Sequence, residues 1–187
     1  MSKQVTIDPL VTDFQAGKIF AYPTEAVYGL GCDPDNEQAV MRLLALKNRA
    51  IDKGLILVAK NYSQLLPYVD DKAIPMDRRT EIFSSWPGPV TWLLPASVHA
   101  PIWITGGSSL IAVRVSQHKT IQMLCELLDK PWISTSANLS GQAPALSKEE
   151  LIKQFAEQVV LVDGELGGAS KPSKIRHGLS GQTMRES

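Results

Sequence analysis

Short apolar runs of strand length alternate with amphipathic helical segments along this chain. Windows such as 54–59 are far shorter than the ~18–20 apolar residues that a membrane-spanning helix needs, so we expect no membrane segment. Continuous apolar runs of this length are typical of strands in a sheet that is covered on both faces. We predict strands at 19–22, 55–59, 90–94, 110–116, 132–134 and 159–162.

Hydrophobic residues at helical spacing predict the other half of the fold. Ser147 and Glu150 form a capping-box pattern that opens a helix ending at 155. The remaining helices are predicted at 8–16, 36–46, 61–68, 76–84 and 119–128. Because strands and helices mix along the chain, we predict a single α/β domain over 1–187, with a twisted mixed sheet flanked by helices. The segment from 164 onward has no clear periodicity.

Charge and cysteine content limit the classes of function. The 187 residues include 19 Lys and Arg and 19 Asp and Glu. The resulting net charge of zero excludes a globally basic nucleic-acid-binding protein, but it leaves a local basic patch open. The charges are segregated, since five bases and one acid lie between 42 and 60. Two cysteines cannot form a dense disulfide framework, which indicates a reducing, cytoplasmic compartment.

The sequence lacks the standard patterns for several kinds of site. It has neither a G-x-x-x-x-G-K-[ST] phosphate loop nor a G-x-S-x-G nucleophile turn. His99, His118 and His177 are far apart in sequence, so we expect no metal site built by the protein alone. Any catalysis would then depend on electrostatics and positioning.

Lys47 and Arg49 are the first candidates for binding an anion. If the chain were extended after the helix at 36–46, the two side chains would point the same way and converge on one ligand. Lys53 follows four residues later. The alternative is a solvated helix end, where cations favour the helix dipole.

Arg114 is the second candidate, because it lies inside an apolar strand. A buried guanidinium without a partner costs several kcal/mol. Its partner is either a structural carboxylate or the carboxylate or phosphate of a ligand, and the sequence leaves both open.

Polar residues follow two of the predicted strands. The strand at 132–134 runs into hydroxyl and amide groups up to Asn138, which could bind a ligand or form a polar turn. Thr24 and Glu25 follow the first strand in the same way, with a helix N-cap as the alternative. Together with the cations, these groups predict a site for an anionic ligand such as a nucleotide.

Six motifs in order give the chain a recognisable pattern. They are AYPTEAVYGLGCD from 21, LKNR from 46, WPGPVT from 86, AVRV from 112, STSANLSG from 134 and PSKI from 172. In this order they resemble the YrdC-like family in its short bacterial form, the threonylcarbamoyl-AMP synthases. The resemblance implies a twisted α/β sheet with a large concave, electropositive cleft.

The resemblance also implies a reaction. L-threonine, bicarbonate or CO₂, and ATP give L-threonylcarbamoyl-AMP and diphosphate. The product supplies a tRNA threonylcarbamoyl-transferase complex that modifies the adenosine next to the anticodon, in tRNAs reading codons that begin with A. Mg²⁺ would accompany ATP, and binding of tRNA or double-stranded RNA is also described for the family.

The family's site residues carry over by motif. Lys47, Arg49, Ser136 and Asn138 match the nucleotide-binding and catalytic positions, and Thr91 and Ser134 match further nucleotide-binding positions. Thr24, Arg114 and Ser173 match positions around threonine and the nucleotide, and Lys53 is either a further threonine contact or a residue without that role. Lys53 is a departure, because longer relatives often have His or Asn near that point.

Two alternatives belong to other classes of protein. An RNA-binding module is supported by the clustered positive charge, but the chain has no RRM, KH or double-stranded-RNA-binding signature. A nucleotide-binding regulator would bind ATP without threonine-dependent turnover.

Overall fold

The computed structural model describes residues 8–186, and its strands form one nine-stranded sheet. The strands are β1 (Phe20–Pro23), β2 (Tyr28–Gly31), β3 (Ile56–Ala59), β4 (Val90–Pro95), β5 (Leu110–Val115), β6 (Trp132–Ser136), β7 (Val160–Leu161), β8 (Lys174–His177) and β9 (Thr183–Arg185). Their order in the sheet is β7-β1-β2-β6-β3-β5-β4-β8-β9. Parallel pairs, such as β3 with β5, mix with antiparallel pairs, such as β4 with β5. The predicted mixed α/β fold is confirmed.

Helices connect and cover the strands. They are α1 (Pro9–Gln15), α2 (Glu37–Lys47), α3 (Met76–Ser84), α4 (Ile102–Thr105), α5 (Lys119–Leu127) and α6 (Lys148–Phe155). The predicted capping box is confirmed, since Ser147 Oγ accepts from the backbone N–H of Glu150 at 3.2 Å. Glu150 returns the contact by accepting from the backbone N–H of Leu146 at 2.7 Å. No helix in the described part of the chain is long and apolar enough to cross a membrane.

Apolar side chains bury both faces of the sheet. In β3, Leu57 and Ala59 belong to a large cluster that includes the buried face of α2, whereas Val58 points to a second cluster. The second cluster contains Trp132, which stacks on Phe14 of α1 at 5.1 Å, together with buried residues of α5. The continuous apolar runs of the sequence therefore belong to strands covered on both sides.

Several local predictions were wrong. The strand β2 was not predicted, and the chain at 61–68 forms only a 3-10 turn at Tyr62–Leu65. Thr24 does not begin a helix, because 24–27 is the turn between β1 and β2. The segment beyond 164 contains β8 and β9. The extent of the domain over 1–187 stays a prediction, since 1–7 and 187 lie outside the described residues.

Candidate active site

A cavity of about 290 Å³ lies between the β1–β2 turn, β5, the end of β6 and the segment that leads into β8. Its volume is near the lower end of the range for ligand pockets, about 300–1,000 Å³. Of the predicted site residues, those on its wall are Thr24, Arg49, Arg114, Ser134, Ser136 and Ser173. The sheet thus brings together residues that are up to 149 positions apart in the printed sequence.

The turn between β1 and β2 forms one wall. Both the backbone N–H and the hydroxyl of Thr24 donate to the carbonyl of Val27, at 3.1 and 2.6 Å. The backbone N–H groups of Gly167 and Ala169 donate to the carbonyls of Thr24 and Glu25, at 2.9 and 2.8 Å. The turn is therefore fixed from within and by the segment before β8.

Arg114 has a carboxylate partner in this structure. Its Nη1 donates to Oε1 of Glu25 at 2.5 Å, and the hydroxyl of Ser116 donates to the same oxygen at 2.6 Å. Burial disfavours the charged form of Glu25, but Arg114 and Ser116 outweigh it and hold the pKa of that carboxyl below its usual range. Arg114 is only 6% exposed, and Glu25 is its charged partner on the cavity wall.

Lys47 and Arg49 take different positions. The helix α2 continues through Lys47, and Asn48 adopts a left-handed conformation with φ 50° and ψ 48°. The expectation of an extended chain with parallel side chains is therefore wrong. Arg49 reaches the cavity wall, whereas Lys47 is buried behind it at 3% exposure.

The ammonium of Lys47 holds the end of β6. It donates to the backbone carbonyls of Ser136 and Asn138, the latter at 2.7 Å, and to Oδ1 of Asn138 at 3.4 Å. Ser136 Oγ donates to the same Oδ1 at 2.5 Å. Burial lowers the pKa of Lys47 to about 8, and the charge of Arg49 adds to the shift. Lys47 and Asn138 thus position the polar turn whose Ser136 faces the cavity.

Arg49 is poised toward the cavity. Its Nη2 donates to the carbonyl of Gly54 at 3.0 Å, which fixes one edge of the guanidinium. Its Nε is buried and has no hydrogen-bond partner among the described residues. Burial lowers the pKa of this guanidinium, so an anion in the cavity would compensate a desolvated charge.

Two further predicted residues lie off the wall. Thr91 is fully buried, and its hydroxyl shares a 2.9 Å hydrogen bond with the hydroxyl of Ser173, which does face the cavity. Lys53 is exposed on the 3-10 turn Ile51–Lys53. Contact between Lys53 and a ligand stays a prediction.

Sequence reasoning missed two charged residues of the wall, Lys171 and Arg185, and it noted Glu25 after the first strand without assigning it a role. Arg185 lies on β9 and donates from Nη2 to the carbonyl of Ser173 at 2.8 Å. The three bases between 171 and 176 were a signal for Lys171, but no pattern in the last residues pointed to Arg185. Among the described lining residues, four cations, Arg49, Arg114, Lys171 and Arg185, surround one carboxylate. This balance favours an anionic ligand.

Comparison with known proteins places the sequence among close relatives. Residues 13–187 match the profile of the Sua5/YciO/YrdC family, which is described as "Telomere recombination". The chain is 65% identical to the threonylcarbamoyl-AMP synthase of Pseudoalteromonas atlantica, with all of both chains covered. It is 55% identical to the protein of that name from Pseudoalteromonas translucida, over 99% of this chain and all of that protein.

Solved structures share the fold. The chain superposes on P. abyssi Sua5 in complex with L-threonine with a TM-score of 0.82 and 32% identity, covering 90% of this chain and 49% of Sua5. It therefore spans about half the length of that protein. E. coli YciO superposes with a TM-score of 0.75 at 24% identity, over 96% of this chain and 90% of YciO, which supports the fold alone. The chain belongs to the Sua5/YciO/YrdC family.

Proposed function

We propose that this protein is a threonylcarbamoyl-AMP synthase, which converts L-threonine, bicarbonate or CO₂, and ATP to L-threonylcarbamoyl-AMP and diphosphate. The relatives that carry this name match the chain over essentially its full length. In enzyme classes, the transfer of an adenylyl group to a carbamate is a nucleotidyl transfer. The observation that carries the proposal is the cavity wall with four cations around one carboxylate, among hydroxyl groups.

The wall offers complementary groups for each substrate. Arg49, Lys171 and Arg185 offset the charge of the ATP phosphates, and the hydroxyls of Ser134 and Ser136 orient the nucleotide. Lys47, Asn138 and Thr91 act on the same ligand through the wall residues that they hold. Thr24, Arg114 and Ser173 bind threonine. We assign the resulting positive field as the electropositive cleft of the family.

The chemistry requires anions to be gathered and their repulsion neutralised. The α-ammonium of threonine first loses a proton to the solvent. The neutral amine then attacks CO₂, a C–N bond forms and the nitrogen releases a second proton to the solvent, which leaves a carbamate. A carbamate oxygen then attacks the α-phosphorus of ATP, and the bond to the β-phosphate oxygen breaks to expel diphosphate. Fixed cations and oriented hydroxyls lower the barrier of the second step, since they stabilise charge that develops on the phosphate. Mg²⁺ enters with ATP as part of the substrate.

The product has a defined destination under this proposal. A mixed anhydride of a carbamate and AMP is an activated acyl donor, so a separate tRNA threonylcarbamoyl-transferase complex consumes it to modify the adenosine beside the anticodon. We place the enzyme in the cytoplasm with that complex, and we assign the whole span 1–187 to one domain.

Diphosphate release from ATP and Mg²⁺, with threonine and bicarbonate each present or omitted, tests the proposal. We expect release only when both are present. Release without threonine would indicate another nucleotidyl acceptor or a simple hydrolase, and absence of release would reject the synthase.

The second candidate function is an RNA-binding module, which the segregated basic residues favour. It predicts tRNA binding that weakens steeply with salt and does not depend on ATP or threonine.

A further inference from the structure

We infer that Glu25 binds the amino group of the amino-acid substrate and thereby selects an α-amino acid over other small carboxylates. The inference rests on the proposed function. The inference starts from charge. Among the described residues that line the cavity, Glu25 is the one carboxylate, and the same wall carries four cations.

The carboxylate is oriented by its contacts. Arg114 and Ser116 both donate to Oε1, at 2.5 and 2.6 Å, and neither contact uses Oε2. The side chain of Glu25 keeps 23% of its surface exposed and forms part of the cavity wall. A ligand can therefore reach the carboxylate while Oε1 stays fixed.

The backbone beneath Glu25 is held from two directions. The turn closes through the two hydrogen bonds from Thr24 to Val27, and Ala169 donates to the carbonyl of Glu25 at 2.8 Å. Gly167 packs so closely that a Cβ there would lie 2.9 Å from Cα of Glu25. A side chain supported in this way is pre-organised for a ligand.

Arg114 balances the charge of Glu25 at Oε1, so a ligand that brings a cation can still pair with the second oxygen, whereas a phosphate or carboxylate placed there would be repelled. Threonine brings an α-ammonium next to its α-carboxylate. Glu25 and Arg114 present the matching pair of charges side by side, with 2.5 Å between Oε1 and Nη1. After carbamate formation the nitrogen keeps one hydrogen, so it can still donate to Glu25.

The competing explanation is that Glu25 serves only as the counter-ion that keeps Arg114 in place. The two explanations differ for a ligand without an amine. If Glu25 binds the amine, its charge strengthens the binding of threonine but not that of 3-hydroxybutyrate, which is threonine without the amino group. If Glu25 only positions Arg114, both ligands lose affinity together.

The test compares binding of L-threonine and 3-hydroxybutyrate to the full chain in the presence of a non-hydrolysable ATP analogue. The wild type should bind threonine more tightly. Glu25→Gln keeps an acceptor for Arg114 and Ser116 but removes the charge. It should weaken the binding of threonine about ten- to a hundredfold, the range for a hydrogen bond to a charged group, and leave the binding of 3-hydroxybutyrate unchanged or tighter, since a charge that repels its carboxylate is removed.

Ser116→Ala is the matched control, because it removes the hydroxyl contact on Oε1 and keeps the charge of Glu25. It should preserve the preference for threonine. In turnover, Glu25→Gln should raise KM for threonine and leave KM for ATP near that of the wild type. Equal losses for both ligands, or a wild type that does not distinguish them, would overturn the inference.

The outcomes also separate this inference from the proposed function. Threonine-dependent diphosphate release by the wild type, with no change of ligand preference in Glu25→Gln, rejects only the role of Glu25. A wild type whose diphosphate release does not respond to threonine rejects the synthase and this inference with it.

Discussion

Arg49 and Lys47 are two residues apart, yet the structure gives them separate tasks. Arg49 faces the cavity, whereas the ammonium of Lys47 donates hydrogen bonds to carbonyl and amide oxygens at the end of β6. The left-handed Asn48 between them causes the divergence. A cation that meets the reacting phosphate and a cation that positions a turn should respond differently to substitution.

Arg49→Ala should lower kcat/KM for diphosphate release by ~10²–10³, the usual loss when one contact to developing charge is removed. Arg49→Lys should recover only part of this, because an ammonium cannot reproduce the planar fork of a guanidinium. Lys72→Ala removes an exposed cation on a 3-10 turn and serves as the control, which should keep wild-type activity. Activity of Arg49→Ala equal to that of Lys72→Ala would contradict the assignment.

We expect Lys47 to make the activity sensitive to alkaline pH. Its pKa of about 8 in the folded protein means that the ammonium loses its proton, and one donor, as the pH rises through that value. The hold on Ser136 and Asn138 then weakens, so kcat/KM should decline on the alkaline side. Lys47→Arg should be less active but should lack this decline, since a guanidinium stays charged. The measurement is the pH profile of both proteins, and a shared profile would count against Lys47 as the titrating group.

The lowered pKa of Lys47 has the opposite consequence for the stability of the folded protein. An unfolded lysine has a pKa near 10.4. Between about 8 and that value, the unfolded chain binds more protons than the folded protein does at Lys47. The contribution of this residue to the free energy of unfolding therefore rises with pH across the window, while the activity falls. Lys47→Arg should lose both the alkaline decline in kcat/KM and the rise in the free energy of unfolding with pH.

Among the elements, the edge strand β9 has the most direct consequence for the site. It pairs with β8, which pairs with β4, and so carries Arg185 to the cavity wall. Arg185→Ala should raise KM for ATP by roughly tenfold, the loss of about one charge-assisted hydrogen bond. Met184→Ala alters the neighbouring exposed side chain of the same strand and should leave KM unchanged. If both variants behave alike, β9 serves the fold and not the nucleotide.

Elements whose buried residues form a continuous run or a regular helical repeat could be predicted from the sequence. The apolar runs of β3 and β5 and the helical stripes of α2 and α5 depend only on local periodicity. The strand β2 was missed because its two glycines and its tyrosine resemble a loop, although all four of its residues are buried. The strands β8 and β9 were missed because they form the last two strands at one end of the sheet, where their residues are half-buried or exposed and pairing rather than burial defines a strand.

The candidate site was predictable where a motif marked it and unpredictable where only tertiary contacts define it. Arg114 was expected to need a partner, but nothing local identified Glu25, 89 residues away. The ring of charges on the wall is likewise assembled from separate elements. Local patterns thus name several members of the site, and the sheet order decides which of them face the cavity.

At the scale of the whole molecule, zero net charge coexists with a cavity wall of four cations and one carboxylate. Under the proposed function, the protein attracts its anionic ligands at this wall. This location separates the synthase from the RNA-binding module, because a long RNA needs phosphate contacts spread along a surface, whereas ATP fits within a cavity.

Salt dependence measures the difference. A protein that makes 6–10 phosphate contacts loses about 10³–10⁵ in affinity between about 50 and 200 mM salt. We expect kcat/KM for diphosphate release to fall by no more than about tenfold over this range, since few cations meet ATP and they are partly shielded from the solvent. Filter binding of tRNA under the same conditions gives the comparison. Tight tRNA binding with a steep salt slope, together with turnover that does not require threonine, would shift the assignment from the cavity to the surface and favour the RNA-binding module.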